Sequence, residues 1–484
     1  MNDQRASSAT LSERLAAYVH GVDLERVEPA AVQKAKEVVL YNVAHALECR
    51  RHDHPLGAQA FNIARALSPS GGSATLIGYR ERATPLDAAF VNASQMRALT
   101  LDDVIFPAGI HSGLVVIPAA LALAEERGRS GRDVLSAVVA AYEVMGKLGT
   151  FVWDATIPRR PTMAYGTFGA AISAGRVLGL TQEQLAHAIG YAVHCAQGVA
   201  EGENNNPPER YSPPEHYYSL VTRAGMTGAL VAHAGGKSSL TSLEGRYGFF
   251  DTFVGKPFDA DAVIASLGHD YQIMTWVEKR YPGTGLNIVA VELMRDIVIS
   301  HELGPADVRE VRFMVPEERR NFASGHQPGP FNSADEASGA AAYHMAMLLV
   351  DAGKIDFRRY QQFATPEMRA AVAKIKSALV PGKSNIRWAR VEVDLVDGRT
   401  ISREGEAYSF PPIQPHERLA SAAEGLLTRA QIDRCVELAM TLEKQSTITP
   451  LMACLVPEAQ RATAESIGNP IASLEREAEM WQLS

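Results

Sequence analysis

The sequence predicts a mainly α-helical protein with a smaller α/β domain. Apolar residues recur every three or four positions through the first half of the chain, which is the spacing of one buried helical face. After about residue 270, two segments alternate apolar and polar residues, as strands with one buried face do. Helical spacing returns from residue 416. We therefore divide the chain into helical sequence over 1–268 and 416–484 and an α/β domain over 269–415.

The helical sequence shows both the expected spacing and the expected caps. Near the start of the chain, Val32, Ala35 and Val39 fall on one helical face. Ser130 and Thr181 stand where helix N-caps are expected. Many of the predicted helices are rich in alanine and glycine, whose small side chains let helices approach closely, so a compact bundle is predicted. Further helices are predicted over 85–99, 112–126, 130–148 and 165–180.

Alternation and a turn signal indicate the α/β domain. Val311 and Phe313 point to one side of a predicted strand. Residues 391–395 alternate in the same way, and Asp397 with Gly398 supplies a tight turn into another strand. Helices are predicted between the strands, over 334–353 and 365–379.

A segment rich in proline and asparagine, residues 200–219, interrupts the helical sequence. Four prolines and three asparagines without apolar periodicity predict a loop. The loop also contains three tyrosines together with Arg210 and His216, and long polar loops in helical domains are often functional. A surface insertion explains the same composition, so both interpretations stay open.

Composition excludes several classes of protein. The formal net charge of −8 disfavours nucleic-acid binding, and no uncharged apolar run reaches the length of a membrane span. The N-terminus lacks the apolar core of a signal peptide, so we expect a cytoplasmic protein. The four cysteines form no closely spaced pair, so we expect no metal site and no disulfide framework. These cysteines are Cys49, Cys195, Cys435 and Cys454.

The stretch "TLDDVIFPAGIHSG", residues 100–113, combines groups that can move protons. Asp102 and Asp103 are adjacent, and His111 follows eight residues after the second, just before an apolar helix. Carboxylates and imidazoles are the side chains that most often act in general acid–base catalysis. A structural interpretation is also open, in which the aspartates cap a helix and one carboxylate is solvated.

Several segments resemble one known family when they are taken in order. They are residues 88–126, 130–149, 166–192, 241–249, 279–285 and 391–400, which include "TSLEGRYGF", "KRYPGTG" and "VEVDLVDGRT". In this order they resemble the MmgE/PrpD family, which includes 2-methylcitrate dehydratase, cis-aconitate decarboxylase and iminodisuccinate epimerase. The similarity covers nearly the whole chain and rests on the order of the segments.

The resemblance implies an architecture and a reaction class. It implies a large all-helical domain built from both chain ends, an inserted α+β lid domain, an active site in the cleft between them, and a homodimer. The substrate would be a small carboxylic acid, and the reaction would be a proton transfer at the carbon beside a carboxylate, without a cofactor. Dehydration is the first expectation. Decarboxylation, epimerisation and an inactive scaffold are the alternatives.

The resemblance also implies which residues carry the chemistry. His111 would transfer the proton, with Asp102 and Asp103 orienting it or a substrate hydroxyl. Lys279 would approach from the lid and steady a carboxylate or an enolate-like intermediate, unless it belongs to a solvated charge run. Tyr165 would be a phenolic acid or base, or packing. Beyond what the resemblance implies, we expect neighbouring side chains to bind the substrate and to compensate for missing family residues; they are Arg280, Tyr281, Thr284, Arg210, His216 and Arg223.

Some positions depart from the family pattern. Thr100 and Val104 replace an acid and a threonine around the aspartate pair, and Thr284 replaces a histidine. Pro214 and Tyr217 stand where several relatives carry a lysine and a histidine. A tricarboxylate carries about three negative charges near neutral pH and needs several cations. We therefore expect a divergent member whose substrate is less charged or more aromatic.

Overall fold

The computed structural model is mainly helical and contains a four-stranded sheet, which confirms the predicted fold class. The structure describes residues 9–105, 108–152, 161–196, 198, 216–255, 259–321, 325–408 and 413–458. Within these ranges, no helix combines the length and the apolar character that a bilayer crossing requires.

The helices before the sheet form the larger part of the molecule. They are α1 (Leu11–Gly21), α2 (Pro29–Arg51), α3 (Pro55–Leu67), α4 (Pro85–Ala98), α5 (Gly113–Glu126), α6 (Gly131–Val152), α7 (Pro161–Leu178), α8 (Gln182–His194), α9 (Tyr217–His233) and α10 (Ala260–Ser266). Two short antiparallel pairs lie among them, β1 (Ala74–Thr75) with β2 (Arg82–Ala83), and β3 (Val104–Ile105) with β4 (Trp276–Val277).

The second part begins after β4 and is followed by a return to helix. Its elements are α11 (Ile288–Ser300), β5 (Val308–Pro316), α12 (Ala334–Gly339), α13 (Ala341–Val350), α14 (Pro366–Ala373), β6 (Ile375–Val380), β7 (Ala389–Leu395) and β8 (Thr400–Gly405). The closing helices are α15 (Pro415–Ala422), α16 (Arg429–Met440) and α17 (Thr449–Cys454).

Local sequence sets the helix starts. The Thr181 hydroxyl accepts the Gln184 backbone N–H at 3.2 Å, and the Gln184 side chain accepts the Thr181 N–H at 3.1 Å. Ser130 and Asp133 form the same reciprocal arrangement. Such caps satisfy backbone N–H groups that have no partner inside the helix. Both N-caps that the sequence predicts are therefore confirmed.

Glycine allows α7 and α9 to pack at short range. A Cβ atom on Gly225 would lie 2.4 Å from the Thr167 carbonyl oxygen and 2.7 Å from the Ala170 Cβ. A Cβ on Gly166 would lie 2.8 Å from a methyl group of Val221. The α7 backbone at Thr167 cannot move aside for a new methyl group as a flexible side chain could. The contact between the two helices therefore requires glycine at position 225.

The sheet has the strand order β6-β5-β7-β8, with β5 parallel to β6 and the other pairs antiparallel. Val311 and Phe313 are fully buried, as their alternation predicts. Asp397 and Gly398 form the predicted turn between β7 and β8, and Gly398 has a φ of 90°, in the left-handed region that favours glycine. The hairpin is therefore confirmed.

The helix predicted over 365–379 is only half correct. Helix α14 ends at Ala373, and the following residues form β6. The backbone N–H of Val311 donates to the Lys374 carbonyl at 2.9 Å, and β6 then pairs with β5. Alanine and lysine favour helix locally, but pairing with a buried strand outweighs that preference.

Buried hydrophobic residues form two clusters. The larger draws on α1 to α10, on Tyr271 and Ile273, and on the closing helices. The smaller draws on residues between Tyr281 and Leu395. The chain thus passes from one cluster to the other between 273 and 281. The domain boundaries at 268 and 415 stay a prediction.

Candidate active site

Strand pairing brings two distant segments together at the candidate site. Strands β3 and β4 pair antiparallel, with Val104 opposite Val277. Extending this register by two residues places Asp102 opposite Lys279. The observed contact agrees, since Lys279 Nζ lies 3.9 Å from Asp102 Oδ1.

Asp102 is a fully buried carboxylate surrounded by cationic groups. Arg97 Nη1 donates to Oδ1 at 2.7 Å, and His111 Nδ1 lies 2.5 Å from Oδ2. Burial raises the pKa of Asp102, but the charges of Arg97, Lys279 and His111 outweigh burial and hold that pKa well below its usual value. Asp102 therefore stays ionised in the interior.

Asp103 is also fully buried, but its partners are neutral. Tyr142 donates to Oδ2 at 2.9 Å, and Asn42 and the backbone N–H of Gly113 donate to Oδ1 at 3.2 and 3.1 Å. Burial raises the pKa of Asp103 to about 6, against the hydrogen bond from Tyr142 and with the help of the Asp102 charge. Gly113 is the first residue of α5, so Asp103 satisfies a backbone N–H at the start of that helix. The solvated carboxylate of the structural interpretation is wrong, because both aspartates are fully buried.

His111 is held by its backbone and by one ring nitrogen. Its N–H donates to the Thr162 hydroxyl at 2.9 Å, and Nδ1 lies 2.9 Å from the Asp103 carbonyl oxygen. A carbonyl only accepts, so Nδ1 carries the proton and Nε2 is the basic nitrogen. Asp102 Oδ2 makes no aligned hydrogen bond, so its contact with Nδ1 is one of charge. The ring is 20% exposed, so solvent reaches part of it.

Lys279 is not a solvated charge, because only 1% of it is exposed. Its Nζ donates to the Thr100 carbonyl at 3.0 Å, and its backbone N–H donates to the Tyr41 hydroxyl at 2.8 Å. Burial lowers the pKa of Lys279 to about 8, although the Asp102 charge opposes that shift. Thr100 has a φ of 53°, an unusual conformation for a β-branched residue.

Tyr165 lies among aromatic rings. Its ring centroid is 5.5 Å from that of Phe249 and 6.2 Å from that of Phe168, and the residue is 6% exposed. The surroundings of Tyr165 are therefore those of a residue that packs in the core. Its catalytic role stays a prediction.

Two predicted substrate-binding residues contact α4 instead of the aspartates. His216 Nδ1 lies 3.1 Å from the Ser94 hydroxyl, and its ring stacks on Phe90. Arg223 forms an ion pair with Asp87 at 3.2 Å. The side-chain partners of His216 and Arg223 thus lie on α3 and α4, and the substrate-binding role of both residues stays a prediction.

The remaining predicted residues follow Lys279 or lie outside the described chain. Tyr281 is buried beside His344, with ring centroids 5.4 Å apart; burial and the nearby Glu292 raise the pKa of the phenol well above its usual value. Arg280 and Thr284 are partly buried in the same loop. Arg210 lies outside the residues that the structure describes, so its role is untested.

Sequence reasoning missed several residues of the site. Arg97 and Tyr218 belong to it: the Arg97 guanidinium lies 5.0 Å above the Tyr218 ring, whose centroid is 6.2 Å from that of His111. The polar residues of α2 were missed too, because they stand within an apolar stripe. A polar side chain within an apolar helical stripe is the sequence signal that could have identified them as site residues. The missed residues are Asn42, Tyr41, Tyr142, Arg97, Tyr218 and His45.

His45 is the most unusual of these. It is 3% exposed, and neither ring nitrogen has a hydrogen-bond partner in the described part of the chain. Its ring lies 4.2 Å from that of Tyr41, which is itself 4.6 Å below the Arg418 guanidinium. Burial, followed by the Arg418 charge, holds the pKa of His45 well below its usual value. The His45 imidazole is thus neutral and has no hydrogen bond within the described residues. It packs against Tyr41, whose hydroxyl accepts the backbone N–H of Lys279.

The described residues offer no metal cluster: no three His, Cys, Asp or Glu side chains among them are grouped to hold an ion. The contacts described above form a network of acids, cations and phenols. Proton transfer and charge stabilisation are the chemistry that such a network supports.

The chain is similar in sequence to one family of proteins and to several known enzymes. A sequence model of the MmgE/PrpD N-terminal domain matches residues 13–261. The cis-aconitate decarboxylase of Aspergillus terreus (strain NIH 2624 / FGSC A1156) is 23% identical, over 94% of this chain and 97% of the relative. The cis-aconitate decarboxylase of Homo sapiens is 25% identical, over 96% and 99%. The cis-aconitate decarboxylase-like protein oryM of Aspergillus oryzae is 24% identical, over 89% and 94%.

Proposed function

Because the chain belongs to the MmgE/PrpD family, we propose that it is a lyase acting on a small carboxylic acid, with His111 as the proton-transfer group. The observation that carries the proposal is the contact of His111 Nδ1 with the ionised, fully buried carboxylate of Asp102. The Asp102 carboxylate and the Asp103 carbonyl oxygen both lie at Nδ1, so the ring is oriented through that nitrogen. His111 can therefore both take and return a proton at Nε2.

Lys279 fits a positioning role in this proposal. Its ammonium group is buried, donates to the Thr100 carbonyl and faces Asp102. It therefore holds the loop that carries the aspartates and helps to keep Asp102 ionised. Direct contact of Lys279 with a substrate carboxylate, which the sequence predicts, stays a prediction.

Decarboxylation is the reaction that we favour, since the relatives compared above are cis-aconitate decarboxylases or resemble them. The bond between the substrate carbon and its carboxylate breaks, its electron pair stays on that carbon, and CO2 leaves. The imidazolium of His111 then gives its Nε2 proton to the carbon. This sequence needs one proton donor and a cationic surrounding, and both are present at Asp102.

Dehydration is the second candidate. Here His111 Nε2 takes a proton from the carbon, and the hydroxyl leaves as water with a proton from a second group. Lys279 favours this candidate, because a group with a pKa of about 8 is mostly protonated at neutral pH yet donates readily.

Product mass separates these reactions. The purified protein is incubated with cis-aconitate, citrate and 2-methylcitrate in H2O and in D2O, and the products are identified by mass spectrometry. We expect loss of CO2 from cis-aconitate or from a less charged analogue. Loss of water supports dehydration, and deuterium uptake without other mass change supports an epimerase. Absence of turnover across a broad panel of carboxylic acids contradicts the proposal and supports an inactive scaffold.

The assembly and location that the sequence predicts are further proposals. Light scattering after gel filtration measures whether the protein is a homodimer. Fractionation of cells that express the full chain measures whether it is cytoplasmic.

A further inference from the structure

Arg319 is a fully buried arginine to which the described residues offer no acidic partner. It lies in a short 3-10 helix, Glu317–Asn321, directly after β5, and 0% of it is exposed. Its Nε donates to the Ile386 carbonyl at 2.6 Å. Within the described residues, Nη1 and Nη2 have no hydrogen-bond partner at all. Buried charges are normally paired, because removing one from water without compensation is costly.

The charges around Arg319 are positive. Arg387, next to Ile386 in sequence, is partly buried, and burial together with the Arg387 charge lowers the pKa of Arg319 to about 9. His326 lies close as well: burial, then the charges of Arg319 and Arg320, lower the pKa of its imidazole. At neutral pH Arg319 is still charged. We call Arg319, Arg387 and His326 the buried arginine cluster.

The topology explains why these residues meet. Strands β5 and β6 are parallel, so they end at the same edge of the sheet, and β7 begins there. The segment with Arg319 follows the end of β5, and the segment with Arg387 joins β6 to β7. The Ser377 hydroxyl in β6 donates to the His326 carbonyl, which ties the third residue to the same edge.

The cluster borders the loop that begins at Lys279. A Cβ atom on Gly325 would lie 3.7 Å from Arg319 Cδ and 3.5 Å from Asn287 Oδ1. Asn287 closes the short 3-10 helix Gly285–Asn287 and precedes α11. Arg319 and Asn287 therefore flank the same glycine, Gly325. Asn287 lies eight residues after Lys279 in the chain.

We propose that the buried arginine cluster is a binding site for a carboxylate, which the Nη1 and Nη2 atoms of Arg319 receive. A guanidinium presents two parallel N–H donors that match the two oxygens of a carboxylate. The ligand supplies the negative charge that Arg319 does not receive from the described part of the chain. It is either a carboxylate of the substrate or a separate small carboxylic acid.

Acetate is the probe for binding. The measurement is a melting temperature, so it does not depend on enzymatic activity. We expect the melting temperature of the wild-type protein to rise with acetate relative to chloride at equal ionic strength. In Arg319→Gln the acetate-dependent rise should disappear. Arg320→Gln is the matched control, because the neighbouring Arg320 is 66% exposed and pairs with Glu317; it should keep the rise. A rise of equal size in Arg319→Gln, or no rise in the wild type, overturns the proposal.

Hydrogen exchange of the wild-type protein covers the case in which Arg319→Gln does not fold. Acetate should slow amide exchange in the peptides that span 316–321 and 385–389, relative to chloride. Peptides of α1 serve as the internal reference and should not change. Unchanged exchange at both cluster peptides contradicts the site.

Kinetics distinguish the two sources of the carboxylate, and this arm alone rests on the proposed lyase function. If the substrate carboxylate occupies the cluster, Arg319→Gln should raise KM about tenfold or more, and acetate should inhibit competitively. If a separate acid occupies it, KM should stay unchanged and acetate should not compete. Absence of lyase activity removes this comparison but leaves the melting and exchange results to decide on the site.

Discussion

At the scale of single residues, two adjacent aspartates have opposite electrostatic surroundings. Asp102 faces Arg97, His111 and Lys279, whereas Asp103 accepts hydrogen bonds from neutral groups. Burial raises the pKa of both carboxyls, but the neighbouring positive charges reverse this shift at Asp102 and not at Asp103. The sequence "DD" does not reveal this difference, because it depends on residues from α4, α6 and the Lys279 loop.

Replacing each aspartate by asparagine tests this asymmetry. Asp102→Asn removes the buried negative charge that both Arg97 and Lys279 face, so we expect it to reduce the free energy of unfolding by about 3–5 kcal/mol at neutral pH. Asp103→Asn keeps an amide oxygen for Asn42 and Gly113, so its loss should be smaller. Urea unfolding measures both. Equal losses in the two variants would show that the charge network does not exist as described.

Lys279 should also make stability depend on pH. Its pKa is about 8 in the folded protein and about 10.4 in an unfolded chain, so the unfolded state binds more protons between these values. The stability contribution of Lys279 therefore increases as pH rises through this window. Relative to Lys279→Met, the wild type should gain about 2 kcal/mol between about pH 8 and about pH 9.5.

The control for that measurement is an exposed lysine. Lys237 has a side chain that is 73% exposed, so Lys237→Met should show no such window. Urea unfolding at several pH values gives the comparison. A difference between wild type and Lys279→Met that is flat over this range would mean that the amine is solvated after all.

At the scale of elements, close helix packing and one short strand pair position the site. Helices α7 and α9 meet at Gly225, and β3 pairs with β4 to bring Lys279 to Asp102. The site therefore depends on elements that look minor in the sequence. Two-residue strands such as β3 and β4 carry too little alternation to be predicted.

Gly225→Ala tests the helix contact. The new methyl group would meet backbone atoms of α7 that cannot move independently, so we expect a loss of about 1–3 kcal/mol in the free energy of unfolding. Gly21→Ala is the control, since a Cβ there would meet nothing within 4 Å. It should change stability by less than about 0.5 kcal/mol. Denaturant unfolding of both variants decides, and a neutral Gly225→Ala would contradict the close packing of α7 on α9.

The elements also show how far sequence reasoning reaches. Apolar spacing and N-caps predict the helices, and alternation predicts β5 and β7, because these signals are local. Strand β6 is missed because its pairing with β5 is tertiary and its composition favours helix. The network around Asp102 is only half predicted for a similar reason: His111 and Lys279 come from a resemblance, whereas Arg97 and Tyr142 come from the packing of helices onto the loop.

At the scale of the whole molecule, the chain crosses between two hydrophobic clusters close to Lys279. Ile273 belongs to the larger cluster and Tyr281 to the smaller. The candidate site and the segment that joins the two clusters are therefore one region.

The central claim is that His111, set beside the buried charge of Asp102, moves the proton in a lyase reaction. The most direct measurement is kcat/KM of His111→Ala on the carboxylic acid that the wild type converts. His301→Ala is the matched control, because His301 is an exposed imidazole at the end of α11. We expect His111→Ala to lose about 10²–10⁴-fold and His301→Ala to match the wild type. If His111→Ala keeps wild-type kcat/KM, the imidazole does not carry the reaction and the account is wrong.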